Sequence, residues 1–516
     1  MREEARNRLL RRIDWRFLLP DPRPRSSLCF SEDLVEPLRL ISAVTSTVSD
    51  GKQRSGFDLA VASDPPREAL EAAWSALAAR GSLYTEWRAA LAGGWKAVAS
   101  RLRLAGFEDV ACFWARPDPA RAPATAWIPL EAREPFEYYR THRRGTRNPV
   151  RLAGRAVRRI QWMLRPRRPV CAVARKPAPP GSPRSEESES LVETVRDNWS
   201  NWGLGPAPRR IFRLLQAMPG RSSGKVLAFL FAEGDSAPQL VVKMSRTPES
   251  AAGLRQEAEV LRSLEGRPGG VVGVPRILLY RPEGILVETA LPGLPLSSFL
   301  SRRNYPMLAE KATSWLADFA APDDGSREPC SGFVDRVLAD FVPHFGSALD
   351  PGVLRDAEQL LARLPPLRTI CEQRDFSPWN ILLAPDGTLS VLDWESADLH
   401  GLPALDLIYF LTYLALYFDR ALRNGRHRES FRRSLDPSSL TGGVAKRCLA
   451  WYCDKTNVPK EAVRPLRVLA WLLHSRSEYR HLTEDAGGSP DASRLRQSFF
   501  LDLLREELQS DLSTIP

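Results

Sequence analysis

Long apolar runs are scarce in this sequence of 516 residues. The longest markedly apolar stretch extends from Leu407 to Phe418, and it is flanked by Asp406 and Asp419. A helix that spans the hydrocarbon core of a bilayer needs about 20 predominantly apolar residues. The sequence therefore predicts no transmembrane segment, and it predicts that this stretch is a buried helix.

A secretory signal is also missing from the first residues, MREEARNRLLRRIDW, in which acidic side chains stand among basic ones. They hold no apolar core followed by a small-residue cleavage site, which such a signal requires. We therefore expect a cytoplasmic protein. Apolar and charged fractions of 43% and 26% are typical of a folded protein, and the length predicts two to four domains.

Cysteine is present but not in the patterns that bind zinc or form a disulfide framework. The seven residues are odd in number and scattered: Cys29, Cys112, Cys171, Cys330, Cys371, Cys448 and Cys453. A structural zinc site needs closely spaced ligand pairs, and none occurs here. We expect reduced thiols with structural roles.

Acidic residues are absent from 138 to 185, whereas eleven arginines lie between 140 and 168. This segment therefore contributes a large part of the net charge of +11. The sequence RLAGRAVRRIQWML predicts a basic helix, either solvated between domains, which we favour, or in weak contact with an anionic membrane surface. The Pro- and Ser-rich sequence that follows predicts a linker, so 138–190 is interpreted as helix plus linker. No specific nucleic-acid partner is expected.

Residues 1–137 have an α/β pattern, with strands at FDLAVAS, SLYTEW, EDVACFWARP and TAWIPL and helices at REALEAAWSALAARG and GGWKAVASRLRLAGF. This order resembles the second half of a class I S-adenosylmethionine-dependent methyltransferase. That family binds its cofactor through a Gly-rich loop after the first strand, whereas SSLCFSEDLVEPLRL contains no glycine. We expect a small Rossmann-like domain that is degenerate and binds no cofactor.

From Arg209 the pattern changes to antiparallel strands, RRIFRLLQAM, VLAFLFAEGD and APQLVVKMS. The turn PGRSSGK between the first two contains Ser222 and Ser223. A Gly- and Ser-containing turn of this kind predicts a loop whose backbone amides bind phosphate groups, although most such turns are only hairpins. Farther on, ILVETALPG predicts a strand that ends in a hinge, where Glu288 and Ala290 are candidate adenine contacts.

Lys243 interrupts an apolar strand, in which Leu240, Val242 and Met244 share one face. The helix predicted for TPESAAGLRQEAEVLRSLEG carries Glu257 on its apolar stripe. A carboxylate that faces inward needs a cationic partner. A strand lysine paired with a helix glutamate is how kinases hold nucleotide phosphates, and we predict that Lys243 and Glu257 form such a pair.

The most informative segment is CEQRDFSPWNILLAPDGTLSVLDWESADLHGLPALDL. A hairpin that pairs Pro385 with Thr388 would place Asn380 opposite Asp393. An amide oxygen and a carboxylate side by side suit Mg²⁺, which shares its ligands with substrate phosphates. Asp375 precedes Asn380 by five residues, which is the D-x-x-x-x-N spacing of a kinase catalytic loop, where the aspartate accepts a proton.

With these residues together, RDFSPWNIL, VLDWE and GLPALDL resemble the signature of the aminoglycoside phosphotransferase and choline kinase superfamily, from about Arg209 onward. The resemblance implies an α+β bilobal protein-kinase-like fold, with a small antiparallel sheet lobe at 191–290 and a helical lobe at 291–516. It implies ATP and Mg²⁺ as cofactors. It also implies roles for the following residues: Asp375 as base, Asn380 and Asp393 as metal ligands, Lys243 and Glu257 as the nucleotide pair, and Asp406 as the residue that steadies the catalytic loop.

One position departs from the superfamily, because Gln373 stands where a histidine usually precedes the catalytic aspartate by two residues. A phosphotransferase acting on a small-molecule alcohol is the favoured interpretation, and a pseudokinase that binds nucleotide as a scaffold is the alternative. Acids and bases are nearly balanced after residue 407, which favours a neutral or anionic acceptor such as a sugar over a polycationic one. The oligomeric state cannot be inferred from the sequence.

Overall fold

A computed structural model describes residues 3–47, 55–88, 93–119, 122–143, 170–179, 190–217, 224–267, 270–320, 329–486 and 490–510. The chain forms two compact units. The first unit comprises Met1–Ala252 and Leu278–Ala290, and the second comprises Gly253–Ile277 and Leu291–Pro516. Across these described ranges, no helix has both the length and the apolar composition needed to cross a membrane.

The strands are β1 Ser26–Cys29, β2 Val44–Thr47, β3 Phe57–Ser63, β4 Leu77–Trp87, β5 Glu108–Arg116, β6 Ala126–Pro129, β7 Val170–Arg175, β8 Ile211–Ala217, β9 Lys225–Ala232, β10 Leu240–Ser245, β11 Ile277–Arg281, β12 Ile285–Thr289, β13 Leu294–Pro295, β14 Ile370–Glu372, β15 Ile381–Leu383, β16 Leu389–Val391 and β17 Asp398–Gly401.

The helices are α1 Glu3–Arg12, α2 Glu32–Leu38, α3 Arg67–Ala76, α4 Gly94–Leu104, α5 Glu134–Arg143, α6 Leu191–Asn198, α7 Pro248–Glu265, α8 Tyr305–Phe319, α9 Ser331–Phe345, α10 Pro351–Leu361, α11 Leu405–Phe418, α12 Ala421–Asn424, α13 His427–Leu435, α14 Leu440–Thr456, α15 Val463–Ala486, α16 Ala492–Arg496 and α17 Phe499–Gln509.

The first unit is built on one twelve-stranded sheet in the order β11-β12-β10-β9-β8-β6-β5-β7-β4-β3-β1-β2. Neighbouring strands among β2, β1, β3 and β4 are parallel. The pairs β4–β7, β7–β5, β5–β6, β6–β8, β8–β9, β9–β10 and β10–β12 are antiparallel. Parallel neighbours need crossover connections, and α2 and α3 provide helical ones. The predicted strands of this part are present, but the helix predicted from 67 ends at Ala76, where β4 begins.

The helix plus linker predicted for 138–190 is wrong in two respects, its boundary at 137 and the segment that forms β7. Helix α5 continues across the predicted boundary at 137, and β7 lies inside the sheet between β4 and β5. The residues of β7 are buried apart from Arg175, because both of its edges are paired. The Arg-rich stretch falls mainly in 144–169, outside the described residues, so its predicted helix and membrane contact stay predictions.

The small antiparallel lobe predicted for 191–290 is not a separate sheet. Strand β8 pairs with β6, where Ala126 lies opposite Gln216 and Trp127 opposite Leu215. An unpaired strand edge exposes backbone hydrogen-bonding groups, and pairing with β6 covers the edge of β8. The strands around Lys243 therefore continue the sheet of the N-terminal part, and both belong to the first unit.

The second unit is mainly helical, with one large core. Helix α11 is buried along nearly its whole length, as its apolar sequence predicts. Short sheets of β13-β15-β16 and β14-β17 flank the segment that contains the predicted base Asp375. The seven cysteines of the chain, all in described ranges, are buried free thiols, as expected.

Candidate active site

In the first unit, Lys243 lies on β10, an interior strand between β9 and β12, and only 5% of it is exposed. Its Nζ lies 3.0 Å from Oε1 of Glu288, which is also buried. Lys243 is opposite Leu286 on β12, so Glu288 is its diagonal neighbour on the same face. This excludes a solvated edge lysine, because a buried ammonium requires a partner such as this carboxylate.

One residue of the predicted hinge, Ala290, is hydrogen-bonded into the sheet. The amide of Ala290 donates to the carbonyl of Gln239 at 2.9 Å, which extends the pairing of β10 with β12. That amide is therefore engaged, and the predicted adenine contact of Ala290 would have to involve another of its atoms. Ser222 and Ser223 lie outside the described residues, so their predicted phosphate contacts stay predictions.

Helix α7 turns Glu257 inward, as predicted, together with Leu254, Ala258 and Leu261. In the second unit, Oε1 of Glu257 accepts a hydrogen bond from the amide of Trp394 at 2.9 Å. Glu257 therefore anchors the backbone immediately after Asp393. Lys243 and Glu257 fall in different units, and their pairing stays a prediction.

Strands β15 and β16 form the predicted hairpin, but their register differs by one residue from the prediction. Ile381 lies opposite Val391, and the amide of Leu392 donates to the carbonyl of Asn380 at 2.9 Å. Asn380 therefore faces Leu392, and the predicted pairing with Asp393 is wrong. In a regular strand such a shift would send Asp393 to the opposite face.

The turn explains the register. The amide of Ala384 donates to the carbonyl of Thr388, which makes the loop three residues long, and Gly387 adopts a left-handed φ of +88°. Three-residue hairpin loops commonly end with a residue in this conformation. Asp393 is itself left-handed, with a φ of +64°, so the alternation of the strand no longer fixes the direction of its side chain.

Asp375 accepts hydrogen bonds at both carboxylate oxygens. The amide nitrogen of Asn380 donates to Oδ2 at 2.7 Å, and the hydroxyl of Tyr409 on α11 donates to Oδ1 at 3.2 Å. The pKa of Asp375 is raised to about 7, mainly by burial and also by the nearby charges of Asp393 and Glu395. The two hydrogen bonds oppose this rise, because they favour the charged form.

Gln373 fills the position where the superfamily has a histidine, and its side chain makes three bonds. Its carbonyl oxygen accepts the amide of Asp375 at 2.8 Å. Its amide nitrogen donates to the carbonyls of Leu392 at 3.0 Å and Asp393 at 2.7 Å. The fully buried Gln373 thus ties the predicted base to the segment that carries the predicted metal ligand.

Asp406 holds the same loop from the first turn of α11. Its Oδ2 accepts the amide of Gln373 at 2.7 Å, and its Oδ1 accepts the amide of Arg374 at 2.8 Å. The backbone of Arg374 has a left-handed φ of +65°, which is unfavourable for any residue other than glycine. The loop therefore depends on these two bonds, and the resemblance implied this steadying role for Asp406.

We expect Gln373→Ala to lower the free energy of unfolding by about 2 to 3 kcal/mol, because three buried bonds are lost. Gln373→His should lower the free energy of unfolding less, since one ring nitrogen can accept the Asp375 amide while the other donates to one carbonyl. Urea denaturation of the two variants and the wild type checks this order. An alanine variant as stable as the wild type would contradict the bridging role.

Three site residues were missed from the sequence. Tyr409 and Tyr413 lie in LIYFLTYLALYF, which has the composition of a core helix and gives no sign that one hydroxyl reaches Asp375. Glu395 lies beside Gly253, where an added Cβ would come within 3.1 Å of its Oε2. The VLDWE motif contained Glu395, but spacing alone gave it no role.

A buried strand lysine, a D-x-x-x-x-N loop and an aspartate with a raised pKa are together typical of enzymes that transfer phosphoryl groups. Residues 223–438 match the model of the APH family, described as the phosphotransferase enzyme family. The match confirms the resemblance to the superfamily for this part of the chain.

Solved structures of low sequence identity align over about half to three-fifths of the chain. Choline kinase LicA from Streptococcus pneumoniae is 14% identical, with 61% of this chain and 99% of that chain covered and a TM-score of 0.37. A thermostable mutant of aminoglycoside phosphotransferase APH(4)-Ia, in its apo form, is 14% identical, with 60% of this chain and 98% of that chain covered and a TM-score of 0.35. The gentamicin complex of APH(2")-IIa is 14% identical, with 51% and 96% covered and a TM-score of 0.30. No curated protein matches the sequence significantly.

Proposed function

We propose that this protein transfers the γ-phosphate of ATP to a hydroxyl group of a small molecule, with Asp375 as the catalytic base. The observation that carries the proposal is the setting of Asp375. Asn380 and Tyr409 orient its carboxylate, and its pKa is raised to about 7. A base works best when its pKa lies near the working pH, since it then accepts a proton readily while remaining largely ionised.

Asn380 and Asp393 fit the predicted magnesium site by their donor atoms. Mg²⁺ is commonly held by one or two protein oxygens together with water and substrate phosphates. The nitrogen of Asn380 donates to Asp375, so its amide oxygen is the atom that can bind a cation. Within the described ranges, no group of three or more His, Cys, Asp or Glu residues could hold a metal, and a two-residue site shared with phosphates agrees with this.

We assign Lys243 to the nucleotide phosphates, with Glu288 holding its ammonium group in place. Burial of both side chains limits their rotation, so the cation is oriented before the nucleotide binds. Glu257 acts within the second unit, where it fixes the backbone at Trp394. Bound Mg²⁺ would neutralise charge on the phosphate oxygens.

The transfer requires one proton movement. The acceptor hydroxyl oxygen forms a bond to the γ-phosphorus, the bond between that phosphorus and the β–γ bridging oxygen breaks, and ADP leaves. The hydroxyl proton passes to a carboxylate oxygen of Asp375. Gln373 and Asp406 hold the loop during this step, so most of the catalysis is positioning of the reacting groups.

The raised pKa of Asp375 predicts the pH dependence. The ionised base accepts the proton, so activity should be present above pH 7 and should fall as the pH drops through about 7. The pH profile of kcat/KM measures this acidic limb. A limb near pH 4, the ordinary range of an aspartate, would contradict the assignment.

Tyr409→Phe should move the acidic limb upward by about one pH unit, because one hydrogen bond to the charged carboxylate is lost. Ionisation of ATP affects variant and wild type equally, so the difference between them reports on Asp375. Tyr417→Phe, eight residues farther along the same helix, is the control and should leave the profile unchanged. An identical profile for Tyr409→Phe would exclude this hydrogen bond from catalysis.

The direct test is magnesium-dependent ATP turnover against a panel of sugars, amino alcohols and aminoglycosides. Turnover with one class of alcohol supports the proposal and names the acceptor class. Tight ATP binding without transfer to any of them would favour the pseudokinase interpretation.

For residues 1–137 we propose a Rossmann-like sheet without a cofactor site. Ligands of such sheets bind at the carboxyl ends of parallel strands. Here Glu86, buried near the end of β4, is engaged by Arg12 at 2.6 and 2.7 Å, and Asp33 is bonded to both Arg12 and Arg88. Calorimetric titration with S-adenosylmethionine should show no binding, and saturable binding would refute the proposal.

A further inference from the structure

One large apolar side chain of the catalytic loop is exposed. Trp379 lies immediately before Asn380, and 37% of its surface is accessible. The loop around it is fixed by backbone bonds, because the amide of Asn380 donates to Ser377 and the amide of Ser297 donates to Pro378. Trp379 therefore presents an apolar ring surface at a fixed position in the loop that carries the proposed base.

A chain of aromatic contacts joins Trp379 to Asp375. The ring of Trp379 meets Tyr413 at 5.3 Å with an interplanar angle of 88°. The rings of Tyr413 and Tyr409 are 4.5 Å apart, and the hydroxyl of Tyr409 donates to Asp375. Phe499 borders the group at 5.8 Å from Tyr413. The exposed indole is thus part of a packed aromatic cluster that reaches the proposed base.

The carboxylates that act on the ring of Tyr413 are engaged by other groups. The two carboxylates whose charge acts on Tyr413 are Asp375 and Glu478. Asp375 is assigned to proton transfer. Glu478 accepts the amides of Phe499 at 2.7 Å and Phe500 at 3.1 Å, at the start of α17. Both carboxylates are therefore occupied by other functions, whereas recognition of a polycation requires carboxylates that can pair with it.

We propose that Trp379, with Tyr413 against it, is the platform for the acceptor, and that the acceptor is a neutral sugar whose C–H ring face packs on the indole. This assignment rests on the proposed function. A pyranose presents an apolar ring face to an aromatic surface and keeps its hydroxyl groups at the rim, where one can meet Asp375. Contact with an aromatic ring gives affinity without charge, in agreement with the charges described above.

The experiment is calorimetric titration of the full chain with methyl pyranosides of glucose, galactose and mannose, and separately with choline. We compare Trp379→Ala, Trp379→Phe and the matched control Trp451→Ala, whose tryptophan on α14 is 40% exposed. At least one pyranoside should bind. Trp379→Ala should weaken that binding about tenfold or more, Trp379→Phe should weaken it less, and Trp451→Ala should leave it unchanged.

Three results would overturn the inference: no pyranoside binds, binding is the same in Trp379→Ala, or choline alone binds in a manner that depends on Trp379. Because Trp379 is exposed, the variants should fold, and thermal unfolding of each checks this. Binding is measured without turnover. Phosphate transfer is measured separately in the ATP-turnover assay. Pyranoside binding that depends on Trp379, without transfer, would refute the proposed function but support the platform. Transfer that does not depend on Trp379 would support the proposed function but refute the platform.

Discussion

Replacement of Asp375 by asparagine should lower kcat for phosphate transfer by about 10²- to 10⁴-fold, the usual contribution of a general base. Asparagine has nearly the same shape but cannot accept the hydroxyl proton. Two donors, from Asn380 and Tyr409, face the carboxylate. One of them would meet the new NH₂ group, so the side chain would also be less well oriented.

The matched control for this variant is Asp386→Asn in the exposed turn of the β15–β16 hairpin. It makes the same chemical change in the same hairpin segment, and its turnover should equal that of the wild type. Binding of Mg-ATP by the Asp375 variant, measured by calorimetry, should be retained. Transfer at the wild-type rate in Asp375→Asn would exclude this residue as the base.

Asp406→Ala should have the largest effect on stability and should also abolish most activity. It removes the acceptors of two backbone amides, those of Gln373 and Arg374, in a buried part of the loop. Each unsatisfied buried donor costs about 1 to 3 kcal/mol, so the free energy of unfolding should fall by roughly 2 to 6 kcal/mol. Burial already raises the pKa of Asp406, and the two amide donors oppose that rise.

Asp406→Asn provides a graded comparison, because its amide oxygen can accept one of the two amides while its nitrogen faces the other. Its stability should lie between those of the wild type and Asp406→Ala. Urea denaturation gives the order, and kcat measured with a fixed acceptor gives the effect on catalysis. If Asp406→Ala unfolds at the same urea concentration as the wild type, the loop does not depend on these bonds.

The sequence identified the strands, helices and residues whose signals are local. Strand β3, helix α4 and the hairpin around the PDGT turn follow from alternation, helical periodicity and turn residues. The inward position of Glu257 follows from its spacing to Leu254 and Leu261. Each of these inferences needed only residues that are neighbours in the chain.

The errors arose where the partner is distant in sequence or where one residue changes the backbone direction. Strand β7 lies in a Pro- and Arg-rich context and is a strand because β4 and β5 pair with both of its edges. The register of the catalytic hairpin depends on whether Gly387 adds a third loop residue. Both outcomes depend on geometry that composition does not reveal.

By itself, the sequence determined the resemblance to the phosphotransferase superfamily, the candidate base and the candidate nucleotide and metal residues, since these are carried by motifs of fixed spacing. Tertiary structure decided which groups surround the base. Tyr409 reaches Asp375 across 34 positions, and Asp406 reaches the loop across 32 and 33. The pKa of a buried carboxylate depends on such neighbours and on its burial, and both are set only when distant segments pack together.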